Sequence, residues 1–130
     1  MDKKQQELMF KLAMFEQQIK QLQEQSQVVE QAIIETSSLN LGLDDLKEGK
    51  NKEIMASIGK GIFIKARLDS EDLLVDIGSK NFVKKSIPET QELIQEQIEK
   101  LDVVKVEIEE RLEEINSEVT EMFKEAQKEK

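Results

Sequence analysis

Apolar and small residues recur in alternating steps of four and three at both ends of this chain. The first series is Leu8, Leu12, Phe15, Ile19, Leu22, Ser26, Val29, Ile33 and Thr36. The second is Ile94, Ile98, Leu101, Lys105, Ile108, Leu112, Ile115, Val119, Met122 and Ala126. This heptad spacing keeps one stripe of a helix facing a partner, so each series reads as a coiled-coil seam. Residues 1–39 contain neither Gly nor Pro. About 35 residues of helix span roughly 50 Å. A helix of that length cannot wrap around a small core and must bury its seam against another helix.

The second arm, residues 86–130, opens on a sharp local signal. Ser86 reads as an N-cap, and Pro88 falls in the first turn, where a missing N–H costs nothing. Glu89 lies three residues after Ser86 and completes a capping box. Lys105 interrupts the seam at an a position, and Ser26 does the same in the first arm. Two readings of Lys105 stand: it fixes register at some cost in stability, or its head snorkels outward while Val104 packs nearby. Away from the seam the second arm carries Glu96, Glu99, Glu107, Glu109, Glu110, Glu113, Glu114, Glu118 and Glu121. Such a charged face reads as solvated before it reads as a specific docking surface.

All five glycines, Gly42, Gly49, Gly59, Gly61 and Gly78, lie between the arms. Residues 40–52 read as a polar link with a short helical turn at Leu43 to Leu46. Residues 53–85 then show strand signals. Residues 53–58 form a first short strand and Gly59-Lys60-Gly61 a turn. In residues 62–68 the alternation puts Ile62, Ile64, Ala66 and Leu68 on one face. A polar turn at residues 69–72 precedes a strand over 73–77, a turn over 78–81 and a last strand over 82–85. The expected fold is α+β and mainly α: one domain, a long antiparallel two-helix coiled coil with two central β-hairpins. Four short strands leave unpaired edges, so the chain is expected to be an obligate oligomer joined through its strands.

Composition narrows the function. The 28 acidic and 19 basic residues give a net charge of −9, which opposes a phosphate backbone, so no nucleic-acid partner is expected. There is no Cys and no His, which removes the thiolate and the commonest general base and metal ligand. No cofactor or metal site is expected. No run of 18 apolar residues crosses a membrane, and the polar Met1-Asp2-Lys3-Lys4-Gln5 start is unlike a signal peptide. The expectation is a cytoplasmic protein that is not an enzyme. Gly59-Lys60-Gly61 lacks Walker spacing and precedes a strand, so it reads as a turn. Asp69, Glu71 and Asp72 lack the EF-hand pattern and read as a solvated turn.

The segment Ile58-Gly59-Lys60-Gly61-Ile62-Phe63-Ile64-Lys65-Ala66, then Leu74-Val75-Asp76-Ile77-Gly78, then Val83-Lys84-Lys85-Ser86-Ile87 leading into a helix, resembles the prefoldin family. The resemblance covers nearly the whole chain, and two hairpins rather than one resemble its α class. The lack of long tails resembles the archaeal members. It implies a hexamer of two α and four β subunits, with the hairpins closing a double β-barrel platform from which six coiled coils hang. It further implies that the coil tips hold unfolded clients without ATP and pass them to a group II chaperonin. Gly59, Gly61 and Gly78 match the family's turns. Ile62, Phe63, Ile64, Leu74, Val75 and Ile77 match its barrel strands. A coiled-coil scaffold or filament-forming relative without client transfer is the alternative.

The tip chemistry is also readable from the residues alone. Antiparallel pairing brings the chain's two ends together, with Met9, Phe10, Met14 and Phe15 on one arm and Met122 and Phe123 on the other. With Leu8 and Phe15 at d, Phe10 falls at f and Met14 at c, both facing water. Met9 and Phe123 fall on the flank, at e. Exposed Met and Phe make an adaptable apolar surface suited to clients of no fixed shape. Packing in a widened or frayed seam is the other reading.

Overall fold

The structure is a computed structural model, and it describes residues 2–128. Helix α1 is Lys3–Asp44, followed by strands β1 Glu53–Gly59, β2 Ile62–Arg67, β3 Leu73–Asp76 and β4 Phe82–Lys85, then helix α2 Ile87–Lys128. Cα packing divides the chain into two compact units. One joins the chain up to Ile33 with the chain from Lys100 onward; the other is Ile34–Glu99.

In the first unit the terminal arms of the two helices pair antiparallel. Lys105 Nζ lies 3.8 Å from Glu30 Oε1, whereas Phe15 and Met122 line one groove. Every seam position of both arms within this unit is buried or half-buried. Ile115 is fully enclosed, and Ile108 is 6% exposed. The start of α1 carries a cap absent from the sequence reading: Asp2 Oδ1 accepts the Gln5 N–H at 2.8 Å. An acceptor side chain at N-cap satisfies one of the four orphan donors of a helix start. Lys105 sends its ammonium out of the seam, as snorkelling requires, and reaches the opposite arm. Val104 does not fill the space behind it and stays 41% exposed. A half-exposed ion pair of this length is worth less than about 1 kcal/mol.

The second unit has its own small core. Leu43, Ile87 and Ile94 are buried together, with Leu46, Leu73 and Ile98 packed against them. This core explains a boundary that differs from expectation. The helix does not stop at residue 39 but runs through Gly42 to Asp44, so residues 40–44 are helix rather than link. A Gly inside the last turn of a helix costs at most about 1 kcal/mol, and burying Leu43 returns more than that. Gln91 Nε2 ties the helices by donating to Asp44 Oδ1 at 2.7 Å and to the Asn40 carbonyl at 3.2 Å. The Gln91 hydrogen bond, followed by Lys47, holds the Asp44 carboxyl below its ordinary value. Helix α2 starts as expected. Ser86 Oγ accepts the Glu89 N–H at 3.2 Å, though Glu89 Oε1 accepts a hydrogen bond from the Ser86 hydroxyl rather than from its backbone N–H.

The strands form two separate two-stranded antiparallel sheets, β1–β2 and β3–β4. In the first, Ile54 pairs with Ala66, Ala56 with Ile64 and Ser57 with Phe63, and a bulge at Ile58 lets Gly59 meet Ile62. Gly59 therefore ends β1 instead of belonging to the turn. Its φ of 130° lies where only glycine is comfortable. In the second sheet Val75 pairs with Val83 and Leu74 with Lys84; Ile77 falls just beyond β3. The connection is a type I′ turn, with Asn81 N–H bonded to the Gly78 carbonyl at 3.0 Å and φ values of 51° at Ser79 and 62° at Lys80. This turn favours Asn-Gly, so non-glycine residues there carry strain. Lys80→Gly is expected to stabilise the hairpin by about 0.5–1 kcal/mol, read as slower amide exchange across β3 and β4. Unchanged or faster exchange would contradict it.

Candidate functional site

Two surfaces gather many of the exposed apolar side chains, although Val28, Ile34, Leu39, Leu41, Val103 and Val106 are exposed elsewhere on the helices. The first lies at the end of the terminal-arm pair. Met9, Phe10, Met14 and Phe123 are exposed there, Phe10 to 68%. Phe15 and Met122 are half-buried, because as d residues they also serve the seam. The six are not equivalent in place. Phe10, Met14, Phe15 and Met122 line one groove of about 700 Å³, whereas Met9 and Phe123 lie outside it. Lys11 and Gln18 from α1, and Ser117, Glu118, Glu121 and Glu125 from α2, complete its walls. Glu118 and Glu121 read in the sequence only as part of a solvated acidic face, and Lys11, Gln18, Ser117 and Glu125 carried no expectation. A signal was available for four of them, since Lys11, Gln18, Glu118 and Glu125 fall at g beside the seam, whereas Ser117 at f and Glu121 at c do not flank it.

Gln18 is also chemically distinctive. Its Oε1 is shielded and accepts no hydrogen bond. A second open groove of about 430 Å³ in the same unit is lined by Val28, Val29, Val104 and Ile108 with Gln21, Glu24 and Gln25. It too was missed, because Val28 and Val104 are off the seam.

The second surface is on the hairpins. Among the strand residues singled out, Ile62, Phe63, Ile64 and Leu74 are exposed, Leu74 to 70%, and Ile77 beside them to 61%. Val75 differs, being half-buried on the covered side of its sheet. Met55, Ile58 and Phe82 join the exposed set and were not expected there. On the face carrying Ile62, Ile64, Ala66 and Leu68 only the Ala66–Leu68 end is half-covered. Leu68 Cδ2 lies 3.3 Å from where a Cβ on Gly49 would stand, so the loop packs on that end alone. Large β-sheet side chains left in water at this density mark a contact surface.

The comparisons with known proteins agree with this layout. Residues 15–130 match the family profile described as prefoldin subunit. The prefoldin subunit alpha of Methanosphaera stadtmanae is 34% identical over 95 residues, covering 65% of this chain and 67% of that protein. The one from Methanobrevibacter smithii is 32% identical over 97 residues, covering 74% of this chain and 66% of that protein. Prefoldin subunit alpha 2 of Thermococcus kodakarensis is 32% identical over 84 residues, 63% of this chain and 59% of its own. The matches thus span about two thirds or less of these relatives. A filamentous PFD from Methanocaldococcus jannaschii, solved by cryo-EM, superposes with a TM-score of 0.78 at 17% identity. It covers 88% of this chain and 96% of that one, and it shows the shared fold.

A heptad-paired helical fold broken by two hairpins, with apolar strands left open, defines a coiled-coil subunit that associates with others, and the chain belongs to the prefoldin family. Within that family it is an α-class subunit, as its two hairpins and its α-subunit relatives agree. Membership supports a chaperone-type function and association with other prefoldin subunits. Among the described residues no helix is long and apolar enough to cross a membrane.

Proposed function

We propose that this chain is a subunit of an ATP-independent holdase. It works as one of two α subunits beside four β-class subunits, holds unfolded protein at its coiled-coil tip and hands it to a group II chaperonin in the cytoplasm. The observation that carries this reading is the tip groove with its exposed rim of Phe10 and Met14, which the coiled coil itself does not need. Burying one such side chain is worth about 1.5–3 kcal/mol. A few contacts on each of several arms hold a client by avidity and still permit release. The acidic outer face of α2 suits a basic patch on the chaperonin, with attraction that weakens as salt rises.

The test is light scattering from a chemically unfolded client without nucleotide, using the complex with a β-class subunit. Phe10→Ser with Met14→Ser is expected to raise the concentration needed for half suppression by about tenfold or more, with assembly intact. Equal suppression by the double variant would remove the tip from the mechanism. A second reading, a filament-forming scaffold without client transfer, takes its support from the filamentous relative of the same fold. Failure of the assembled wild-type complex to suppress aggregation would favour it.

A further inference from the structure

We infer that the tip groove selects client segments whose apolar residues are flanked by cationic side chains; this rests on the tip-binding reading proposed above. The groove is not symmetric in charge. Its floor is apolar, but its α2 wall carries Glu118, Glu121 and Glu125 against a single cation, Lys11, on the α1 wall. Spacings of three and four put the three carboxylates on one stripe of α2. All three are exposed, so they meet a ligand without prior burial. They span seven residues, or about 10 Å of helix. Alternate side chains of an extended chain stand about 7 Å apart on one face. A Lys or Arg two or four residues from an apolar anchor in the floor therefore reaches one of these carboxylates.

A cationic flank is attracted by this wall, whereas an anionic flank is repelled by it.

The test uses the full chain and dye-labelled peptides with one shared Leu/Phe core flanked by Lys, Ser or Glu, followed by fluorescence anisotropy. Lys flanks are expected to bind about tenfold tighter than Glu flanks at low salt, since each exposed pair adds modestly. The triple variant Glu118→Gln, Glu121→Gln, Glu125→Gln is expected to bring the ratio to within about twofold, with the Ser-flanked peptide bound as before. A control set, Glu107→Gln, Glu109→Gln and Glu113→Gln, removes equal charge elsewhere on α2 and is expected to keep the preference. Circular dichroism confirms that each variant stays helical. Equal binding of Lys- and Glu-flanked peptides to the wild type would overturn the selectivity and leave the tip site standing. Equal loss in the control set would assign the preference to net charge and also overturn it. No binding of any peptide, the Ser-flanked one included, would overturn the tip site itself.

Discussion

Ile115→Asp is expected to unfold the terminal-arm unit while leaving the hairpin unit in place. Ile115 has no solvent exposure and occupies a d position of the seam. Truncating such a side chain to Ala costs about 2–5 kcal/mol through lost transfer energy and the cavity left behind. A carboxylate adds the cost of an uncompensated buried charge, for a total on the order of 5 kcal/mol or more. Amide exchange should lose protection in the two terminal arms and keep it in β1–β4. The pH dependence has a definite sign. Burial raises the pKa of the new carboxyl above its unfolded value, so the folded state binds the extra proton. The defect is then full above the raised folded pKa and eases as pH falls through it towards the unfolded one. Native protection in the variant at neutral pH would show that the seam does not close on Ile115. Ile115→Val, at about 1 kcal/mol, separates packing from polarity.

Ile62→Lys together with Ile64→Lys is expected to abolish association with other prefoldin subunits without unfolding the chain. Both side chains are more than half exposed in the isolated chain, so lysine costs the monomer little. In an assembly each buried isoleucine contributes about 1.5–3 kcal/mol, so losing two weakens association by roughly a hundredfold to ten-thousandfold. Sedimentation with a β-class partner should show separate species, while the thermal transition of the variant alone stays near that of the wild-type chain. A variant that still assembles would move the contact to the opposite face, where Met55 and Phe63 stand.

Both predictions draw on features of unequal visibility in the sequence. The seams were fully legible, because a heptad needs only the order of apolar residues, and every assigned position from Leu8 to Ala126 is at least half-buried. The hairpins were legible from glycine positions and alternation. The end of α1 was not. Gly42 argues locally for a stop, and only the distant Ile87 and Ile94, which bury Leu43, reverse it. The Asp2 cap was readable as an Asp three residues before Gln5 but stood outside the apolar pattern. At the tip, exposure of Phe10 and Met14 followed from heptad letters. The groove did not, because its walls come from two arms roughly a hundred residues apart in sequence, and only their facing register places Glu118 and Glu121 beside Phe10.

The open strands also govern how the chain must be supplied. Two sheets of two strands each leave their outer edges free, and the apolar residues on them stay wet until a partner arrives. Whatever binds only the folded form stabilises it in proportion to the logarithm of its free concentration. The lifetime of this subunit is thus a property of a mixture, not of one chain. Molecules made in excess of their partners present sticky edges to proteases and to one another, whereas matched synthesis keeps them scarce. Chain left without a partner is therefore expected to be lost faster than chain held in an assembly.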